Sequence, residues 1–422
     1  MNVYFHTFGC KANQYDTELV RQAFAERGAV VVDDPAAADL TVVNSCTVTQ
    51  ESEIKLRRLV RHVARVSHAK TIVMGCAAAL DDGAIAALPS VRAVVANADP
   101  TMVLRAAGLS SPSSPPGPLS TTRRGGTNGR HRALLKIQDG CDEHCTFCAT
   151  TLARGANRSR AVADLMKEAR ALAQHHGEIV LTGVHIGTYG QDRGAGALTP
   201  GRGPGVNPPE RSLGHLLESL IEATPGVRFR LSSVEATEVD DRLARLLIEA
   251  PRHVAPHLHA PLQSGSNRVL KRMGRHWYSA ESYRARIEWL AARLPVFGLG
   301  ADVITGFPGE TDQDHDDSVT LLHALPFTYL HVFPFSVRPD APAARLPNQQ
   351  APAVIKARAR ELRELGEAKA RAHRARRGGQ WADGVVSGRS GGRVDVLTED
   401  YLSVYLPTDR WDGRPRFDLI VD

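Results

Sequence analysis

Along the amino-terminal part of the chain, short apolar runs alternate with longer stretches of helical period. Residues 3–8 (Val-Tyr-Phe-His-Thr-Phe) read as a strand, and a helix follows Gly9-Cys10 to about Glu26. Val30–Val32 is a second short strand, and Leu40-Thr41-Val42-Val43-Asn44 is a third that ends at Ser45-Cys46. A basic helix from about Glu51 to Val66 leads to Thr71-Ile72-Val73-Met74, which ends at Gly75-Cys76. Strands alternating with helices predict a parallel α/β sheet. Cys10, Cys46 and Cys76 each follow the carboxyl end of a predicted strand, the edge where open α/β sheets place ligands. They are therefore expected to converge. The competing reading is three small buried hydrophobes, the usual fate of a free cysteine.

Past Gly108 the pattern is lost in a Pro/Ser/Gly-rich stretch to about Arg130, read as a linker. Strand and helix patterns then resume. Ala133–Gln138, Glu178–Gly183, Phe229–Ser233, His257–His259, Phe297–Ile304 and Tyr329–Phe333 are the predicted strands. Six βα units of this kind predict a partial, TIM-like (βα)6 barrel with its site at the carboxyl ends of the strands. A Gly/Pro-rich insertion between Gln191 and Glu210 is expected to be a surface loop. Ala351–Arg377 reads as one long helix rich in Ala, Lys, Arg and Glu. Beyond Trp381, Val385-Val386, Val394–Val396, Leu402–Leu406 and Phe417–Ile420 read as short strands. They predict a small β-barrel module of a kind that often binds nucleic acid. The fold class is thus α/β with a terminal β module. The expected boundaries are 1–107, linker 108–130, 131–350, basic helix 351–377, and 378–422.

The 422 residues suffice for two or three domains. No run has the apolar length of a membrane span, and Met1-Asn2-Val3-Tyr4-Phe5 lacks a signal peptide's regions. The expectation is a cytoplasmic protein without a membrane partner, whose thiols stay reduced and available to metal. The net charge of +6 is too small to establish a nucleic-acid partner, but its placement is uneven. Residues Lys356 to Arg377 hold nine Lys/Arg against three Glu, so this segment carries the whole excess. Such a helix either meets a polyanion or is a solvated connector.

The chemistry is concentrated in Gly140-Cys141-Asp142-Glu143-His144-Cys145-Thr146-Phe147-Cys148. Closely spaced thiolates are the soft ligands that hold iron–sulfur clusters. Three cysteines leave one iron of a [4Fe–4S] cube without a protein ligand, able to bind a small molecule and pass it an electron. Zinc competes for the same atoms with His144 as a fourth ligand, although Cys-x3-Cys-x2-Cys is not a usual zinc-ribbon spacing. A disulfide leaves one thiol over.

This spacing resembles the signature of the radical S-adenosylmethionine superfamily. The whole chain resembles the methylthiotransferases within it, which replace a C–H bond with C–SCH3. The motif Thr7-Phe8-Gly9-Cys10-Lys11-Ala12-Asn13-Gln14-Tyr15-Asp16 is similar to the branch acting on N6-threonylcarbamoyladenosine beside the tRNA anticodon. Leu181-Thr182-Gly183-Val184-His185, Asp302-Val303-Ile304-Thr305-Gly306-Phe307-Pro308-Gly309-Glu310 and His331-Val332-Phe333-Pro334-Phe335-Ser336 point the same way. The resemblance implies two [4Fe–4S] clusters, one on Cys141, Cys145 and Cys148, the other on Cys10, Cys46 and Cys76. It further implies S-adenosyl-L-methionine as cofactor and methyl donor, a tRNA anticodon stem-loop as substrate, and an electron donor such as flavodoxin or ferredoxin. The terminal module then corresponds to a TRAM domain. Thr182, Gly183, Ser233, Glu235, Gln263, Asp302 and Arg154 fit contacts to S-adenosylmethionine, each alternatively a hydrogen-bonded barrel residue; Asp302 is read as ending its strand. Arg154, Arg158-Ser159-Arg160 and Arg275 are candidates to meet phosphate or substrate.

Three departures stand out. Where the family usually has Ile-Ile-Pro-Tyr-Ala-Arg-Gly, this chain has Ala149-Thr150-Thr151-Leu152-Ala153-Arg154-Gly155. The usual Ser-Ser-Ile-Glu-Pro is Ser232-Ser233-Val234-Glu235-Ala236, and Met-Asn-Arg is Met273-Gly274-Arg275. The terminal module is also short for TRAM. Rival readings keep the reaction on isopentenyladenosine in tRNA or on a ribosomal-protein aspartate, or make the chain a non-catalytic iron–sulfur RNA-binding protein.

Overall fold

A computed structural model describes residues 1–47, 50–110, 132–192 and 212–421. The expected linker and the 191–210 insertion lie almost wholly outside these residues. The chain divides into two compact units. One comprises Met1–Gly129, Gln138–His144 and Cys148–Arg158; the other comprises Arg130–Ile137, Cys145–Phe147 and Ser159–Asp422.

The first unit is built on five parallel strands, β1 (Asn2–Thr7), β2 (Val30–Val32), β3 (Leu40–Ser45), β4 (Lys70–Gly75) and β5 (Val91–Ala96). Their order in the sheet is β2-β1-β3-β4-β5. Strand β3 is buried along its length and β4 nearly so, which is why both read as continuous apolar runs rather than alternations. Edge strand β2 is exposed or half-buried throughout. Three helices join the strands, α1 (Lys11–Ala25), α2 (Gln50–Val66) and α3 (Cys76–Ala79), and α4 (Pro100–Ala106) follows β5. Leu56, Val60 and Val63 repeat at helical spacing on α2, and all three are buried. Strand order reverses between β1 and β3, because β2 lies on one side of β1 and β3 on the other. A reversal of this kind opens a crevice at the carboxyl ends of the two strands.

The second unit has two parallel three-stranded sheets. The first is β6 (Ala133–Lys136), β9 (Glu178–Thr182) and β10 (Arg228–Leu231), and the second is β11 (His257–His259), β12 (Gly298–Thr305) and β13 (Tyr329–Pro334). Parallel bridges Phe229↔Val254 and Ser233↔His259 connect them. Two-residue strands β7 (Gln138–Asp139) and β8 (Arg158–Ser159) stand on either side of the cysteine loop in sequence. Helices α6 (Val162–Ala173), α7 (Leu213–Ala223), α8 (Asp241–Glu249), α9 (Asn267–Arg272), α10 (Ala280–Ala291) and α11 (Asp312–Ala324) make the crossovers, and short α5 (Thr150–Arg154) follows the cysteine loop. Several start where a side chain satisfies free backbone N–H groups. Ser212, Asp240 and Ser266 accept such bonds, and Thr311 with Asp314 forms a reciprocal capping box.

Asp302, expected at a strand end, is instead inside β12, which runs on to Thr305 because Ala301, Val303 and Thr305 keep the buried alternation going. The long helix is present as α12 (Pro352–Arg377). It packs on β13, where Gly366 lies against Leu330, and its Leu362 is buried. Part of its positive charge is spent internally. Buried Arg358 pairs with Glu310 and Asp312, and buried Arg377 pairs with Glu399 at 2.8 Å and Asp400 at 2.9 Å. The terminal segment is one four-stranded antiparallel sheet, β16-β15-β14-β17, made of β14 (Trp381–Ser390), β15 (Arg393–Leu397), β16 (Ser403–Pro407) and β17 (Arg416–Ile420).

Fully buried Glu178 ties this sheet to the parallel strands. Its carboxylate bonds Arg228 Nε at 2.8 Å and Arg230 Nε at 3.0 Å, while those arginines donate to the carbonyls of Asp383, Thr398 and Glu399. Burial raises the Glu178 pKa, but Arg230 and Arg228 override it and hold the group well below the usual carboxylate range.

Candidate functional site

The six cysteines fall into two groups of three along the chain, and none of them is in a disulfide. Cys10 follows β1, Cys46 follows β3 at once, and Cys76 opens α3 at the end of β4. Those strands are adjacent in the sheet, so the three thiols share its carboxyl edge, two of them at the crevice between β1 and β3. Their exposure does not fit a packing role. Cys10 is exposed and Cys76 half-buried, and only Cys46 is buried.

Asn13 stands among them. Its Oδ1 accepts from Cys10 Sγ at 3.4 Å and Cys76 Sγ at 3.9 Å; its Nδ2 donates to Ser45 O at 2.8 Å and Asn44 Oδ1 at 3.1 Å. Gly9 has φ +105°, and a Cβ there would lie 2.8 Å from Cys46 Cβ and 2.9 Å from its Sγ. Arg154, the last residue of α5, also reaches this triad. Its Nε donates to Cys76 Sγ at 3.2 Å, Nη1 to Asp139 at 2.9 Å, and Nη2 to Asn13 Oδ1 at 2.8 Å and Asp16 at 3.0 Å. Burial lowers the Arg154 pKa, but Asp16, Cys76 and Asp139 more than restore it, so the guanidinium stays charged. Burial pushes the Cys76 thiol up, against the pull of Arg154.

The other triad comes from one loop. Cys141 N–H donates to Gly155 O at 3.0 Å, and Gln138 Nε2 donates to Gly140 O at 2.7 Å and Asn157 Oδ1 at 2.8 Å, which fixes the entry to the loop. Gly140 has φ +74° and leaves no space for a side chain, since a Cβ would lie 1.9 Å from Ala156 O. In the second unit, Cys145 accepts from Arg275 Nη1 at 3.4 Å. The next residue, Thr146, donates its N–H to Met273 O at 2.8 Å and accepts from Ala343 N–H at 2.8 Å. Phe147 packs on Val269, Met273, Phe307 and Ala343.

Of the residues expected to contact S-adenosylmethionine, Thr182 ends β9 with Gly183 next to it, and Ser233 and Glu235 follow β10. Glu235 forms an ion pair with Arg275, accepts from Trp277 Nε1 at 2.5 Å, and has its pKa raised by burial. Arg275 also donates to Tyr278 OH at 3.0 Å, so Glu235 and Cys145 share one guanidinium. Gln263 has φ +63°, uncommon for a side-chain-bearing residue and a mark of functional positions, and is bridged to β12. Asp302 Oδ1 lies 3.0 Å from His259 Nε2 and 3.2 Å from His331 Nδ1; burial raises its pKa, but these histidines hold it well below the ordinary value. Arg154 is placed with the amino-terminal triad. Arg158 bonds the carbonyls of Ala156 and Arg154, and Arg160 pairs with Glu168 at 2.7 Å.

Asn13, Asp16, Asp139, Trp277 and the His185–Glu238 pair at 2.6 Å carry no assignment from the sequence. Asn13 alone had a local signal, being three residues past Cys10 and hence one turn along α1 from the thiol.

Residues 2–96 match the family described as Uncharacterized protein family UPF0004, and residues 135–322 match the Radical SAM superfamily. The threonylcarbamoyladenosine tRNA methylthiotransferase MtaB of Thermotoga maritima is 36% identical over 82% of this chain and 77% of its own length. The Bacillus subtilis protein of that name is 37% identical over 82% and 76%. That of Aquifex aeolicus is 31% identical over 96% of both chains. The chain belongs to the threonylcarbamoyladenosine tRNA methylthiotransferase family. Among solved structures, the radical S-adenosylmethionine methyltransferase TsrM of Kitasatospora setae aligns with a TM-score of 0.58 at 14% identity, covering 81% of this chain and 75% of that one. The cobalamin-dependent radical enzyme OxsB aligns with a TM-score of 0.53 at 12% identity, covering 87% and 56%. Both show the fold alone.

Membership of this methylthiotransferase family implies S-adenosylmethionine and [4Fe–4S] clusters, and the donor set fits them. Each triad offers three thiols outside any disulfide, and each has an arginine N–H on one sulfur. Among the described residues, no helix is long and apolar enough to cross a membrane.

Proposed function

We propose that this chain is a radical tRNA methylthiotransferase that converts N6-threonylcarbamoyladenosine beside the anticodon to its 2-methylthio derivative. The observation that carries this reading is the set of three thiols on adjoining strand ends, in a chain that also holds the three-cysteine loop. One cluster site is enough to cleave S-adenosylmethionine; a second is required if the chain is also to present sulfur. Cys141, Cys145 and Cys148 would hold the radical cluster, and Cys10, Cys46 and Cys76 the auxiliary one. When bound, the two clusters and S-adenosylmethionine supply the electron, the radical and the methylthio group.

The residues of the chain have simpler tasks. An aromatic C–H offers neither acidity nor electrophilicity to a side chain, so protein groups bind, orient and exclude water rather than react. Thr182, Gly183, Ser233, Glu235, Gln263 and Asp302 would contact S-adenosylmethionine or its neighbours. Arg275 holds Glu235 and Cys145 in fixed relation. The boundaries 1–107, 131–350 and 378–422 are proposed as the catalytic and RNA-binding divisions. Lys356, Arg360, Arg363, Arg371, Arg374 and Arg376 on the exposed face of α12 would meet tRNA phosphate. A cytoplasmic location and a flavodoxin- or ferredoxin-like donor complete the reading.

The test is the nucleoside profile of total tRNA from cells lacking the protein. Selective loss of 2-methylthio-N6-threonylcarbamoyladenosine, with its unthiolated precursor accumulating, supports the assignment. An unchanged profile rules this substrate out.

A further inference from the structure

Arg154 stands six residues after Cys148, yet its Nε donates to a thiol of the other triad. Four of its N–H groups donate, to Cys76 Sγ, Asp139, Asn13 and Asp16. Its side chain is 8% exposed, and its two carboxylate partners are 6% and 24% exposed. An arginine gripped on three sides has little freedom left, so Nε is held on the sulfur. Three features separate this arrangement from an ordinary buried ion pair. The sulfur is a candidate metal ligand, Asn13 contacts the same arginine and two of the three thiols, and α5 is packed against α3, which Cys76 opens.

Resting on the two-cluster reading above, we propose that Arg154 is a positioning residue of the auxiliary site, which acts through the Cys76 sulfur to raise that cluster's reduction potential. Hydrogen bonds to cluster sulfurs are among the levers that set such potentials. The reduced cluster carries one more negative charge than the oxidised one, so a cation and an N–H donor 3.2 Å from a ligand sulfur favour reduction. Asp16 and Asp139 oppose this field while fixing the guanidinium in place. Removing Arg154 therefore has a compound effect, since it takes away the donor and leaves two carboxylates without their cation. The departure at Ala149–Leu152 leaves Arg154 and Gly155 in place, and α5 still delivers the guanidinium. In effect, the loop that supplies one triad's ligands also supplies the other triad's counter-charge.

The test uses the full-length chain carrying Cys145→Ala, so that the auxiliary cluster is seen alone. Iron and sulfide are measured first, and the midpoint potential is then read by EPR during a redox titration. Arg154→Gln in this background is expected to keep about four irons and to lower the potential. At a fixed poise the reduced-to-oxidised ratio should fall at least tenfold, which corresponds to about 59 mV for one electron. Asp139→Asn, which removes an opposing charge and keeps the arginine, is expected to shift the potential upward. A merely structural role for Arg154 gives no such pair of opposite shifts. An unchanged potential in Arg154→Gln with its iron retained overturns the proposal. If Arg154→Gln fails to take up iron, Asp139→Asn decides: a raised potential supports the proposal, and an unchanged or lowered one overturns it. If the Cys145→Ala chain itself holds no cluster, the two-cluster reading fails, and the role of Arg154 fails with it.

Discussion

Cys141, Cys145 and Cys148 arrive within eight consecutive residues, whereas Cys10, Cys46 and Cys76 are spread over 67 residues and brought together by three neighbouring strands. In the first triad, proximity comes from one short loop, entered at Gly140 and bonded from Cys145 onward to Arg275, Met273 and Ala343. In the second it is a property of sheet topology, set by the strand reversal between β1 and β3. Each depends on a glycine and an arginine, but on different scales. A local motif survives as long as its loop folds, and a topological one requires the whole sheet.

The largest effects should come from separating the triads chemically. Cys145→Ala should abolish cleavage of S-adenosylmethionine, measured as 5′-deoxyadenosine released. Cys46→Ala should permit cleavage and block thiolation of the tRNA base. A Cys46→Ala chain that still makes methylthio product contradicts the division of labour.

Next in size is the buried support of the second unit. Glu178→Gln leaves Arg228 and Arg230 without their shared carboxylate, at a cost of about 3–5 kcal/mol. All four tryptophans, Trp277, Trp289, Trp381 and Trp411, belong to this unit, so their fluorescence during urea unfolding reports on it. The pH dependence has a defined sign. The folded-state pKa of Glu178 is depressed, so its contribution is present above the ordinary glutamate value of 4.5 and is lost as the pH falls below it. The stability gap between wild type and Glu178→Gln should therefore narrow from pH 7 to pH 3, and a constant gap counts against the ion cluster.

The glycines sharpen the contrast between local and topological assembly. Gly9→Ala and Gly140→Ala each force a side-chain-bearing residue to positive φ, costing about 1–3 kcal/mol before any clash. Gly9→Ala should deplete iron from the auxiliary triad and spare deoxyadenosine formation. Gly140→Ala, whose Cβ meets backbone rather than a side chain, should do the reverse and more severely.

How much of this was legible beforehand follows from the same contrast. The three-cysteine loop is written in adjacent residues, and the strand-end cysteines could be read because each apolar run stops just short of its thiol. The partners of Arg154 could not be read. Asp16 and Asn13 lie far from it in sequence, and a charged pair leaves no periodic trace. Asp302 was displaced from its expected place because β12 keeps alternating for three residues beyond it. Strand β5 went unpredicted, as its run Val91–Ala96 is interrupted by Arg92 and only partly buried. The basic helix was read correctly as a helix, but which of its arginines are buried, Arg358 and Arg377, appears only in three dimensions.

The smallest expected effect follows from that last point. Arg371 and Arg376 are exposed, unlike Arg377. Replacing both with Gln should weaken tRNA binding and reduce its salt slope by about one to two, whereas an unchanged slope returns the helix to a solvated connector.

The central claim is that two triads hold two clusters, and iron with labile sulfide tests it most directly. The anaerobically reconstituted chain should contain about eight irons, and chains with either triad replaced by alanine about four. A wild-type chain that holds only about four, all lost with Cys141, Cys145 and Cys148, would contradict it.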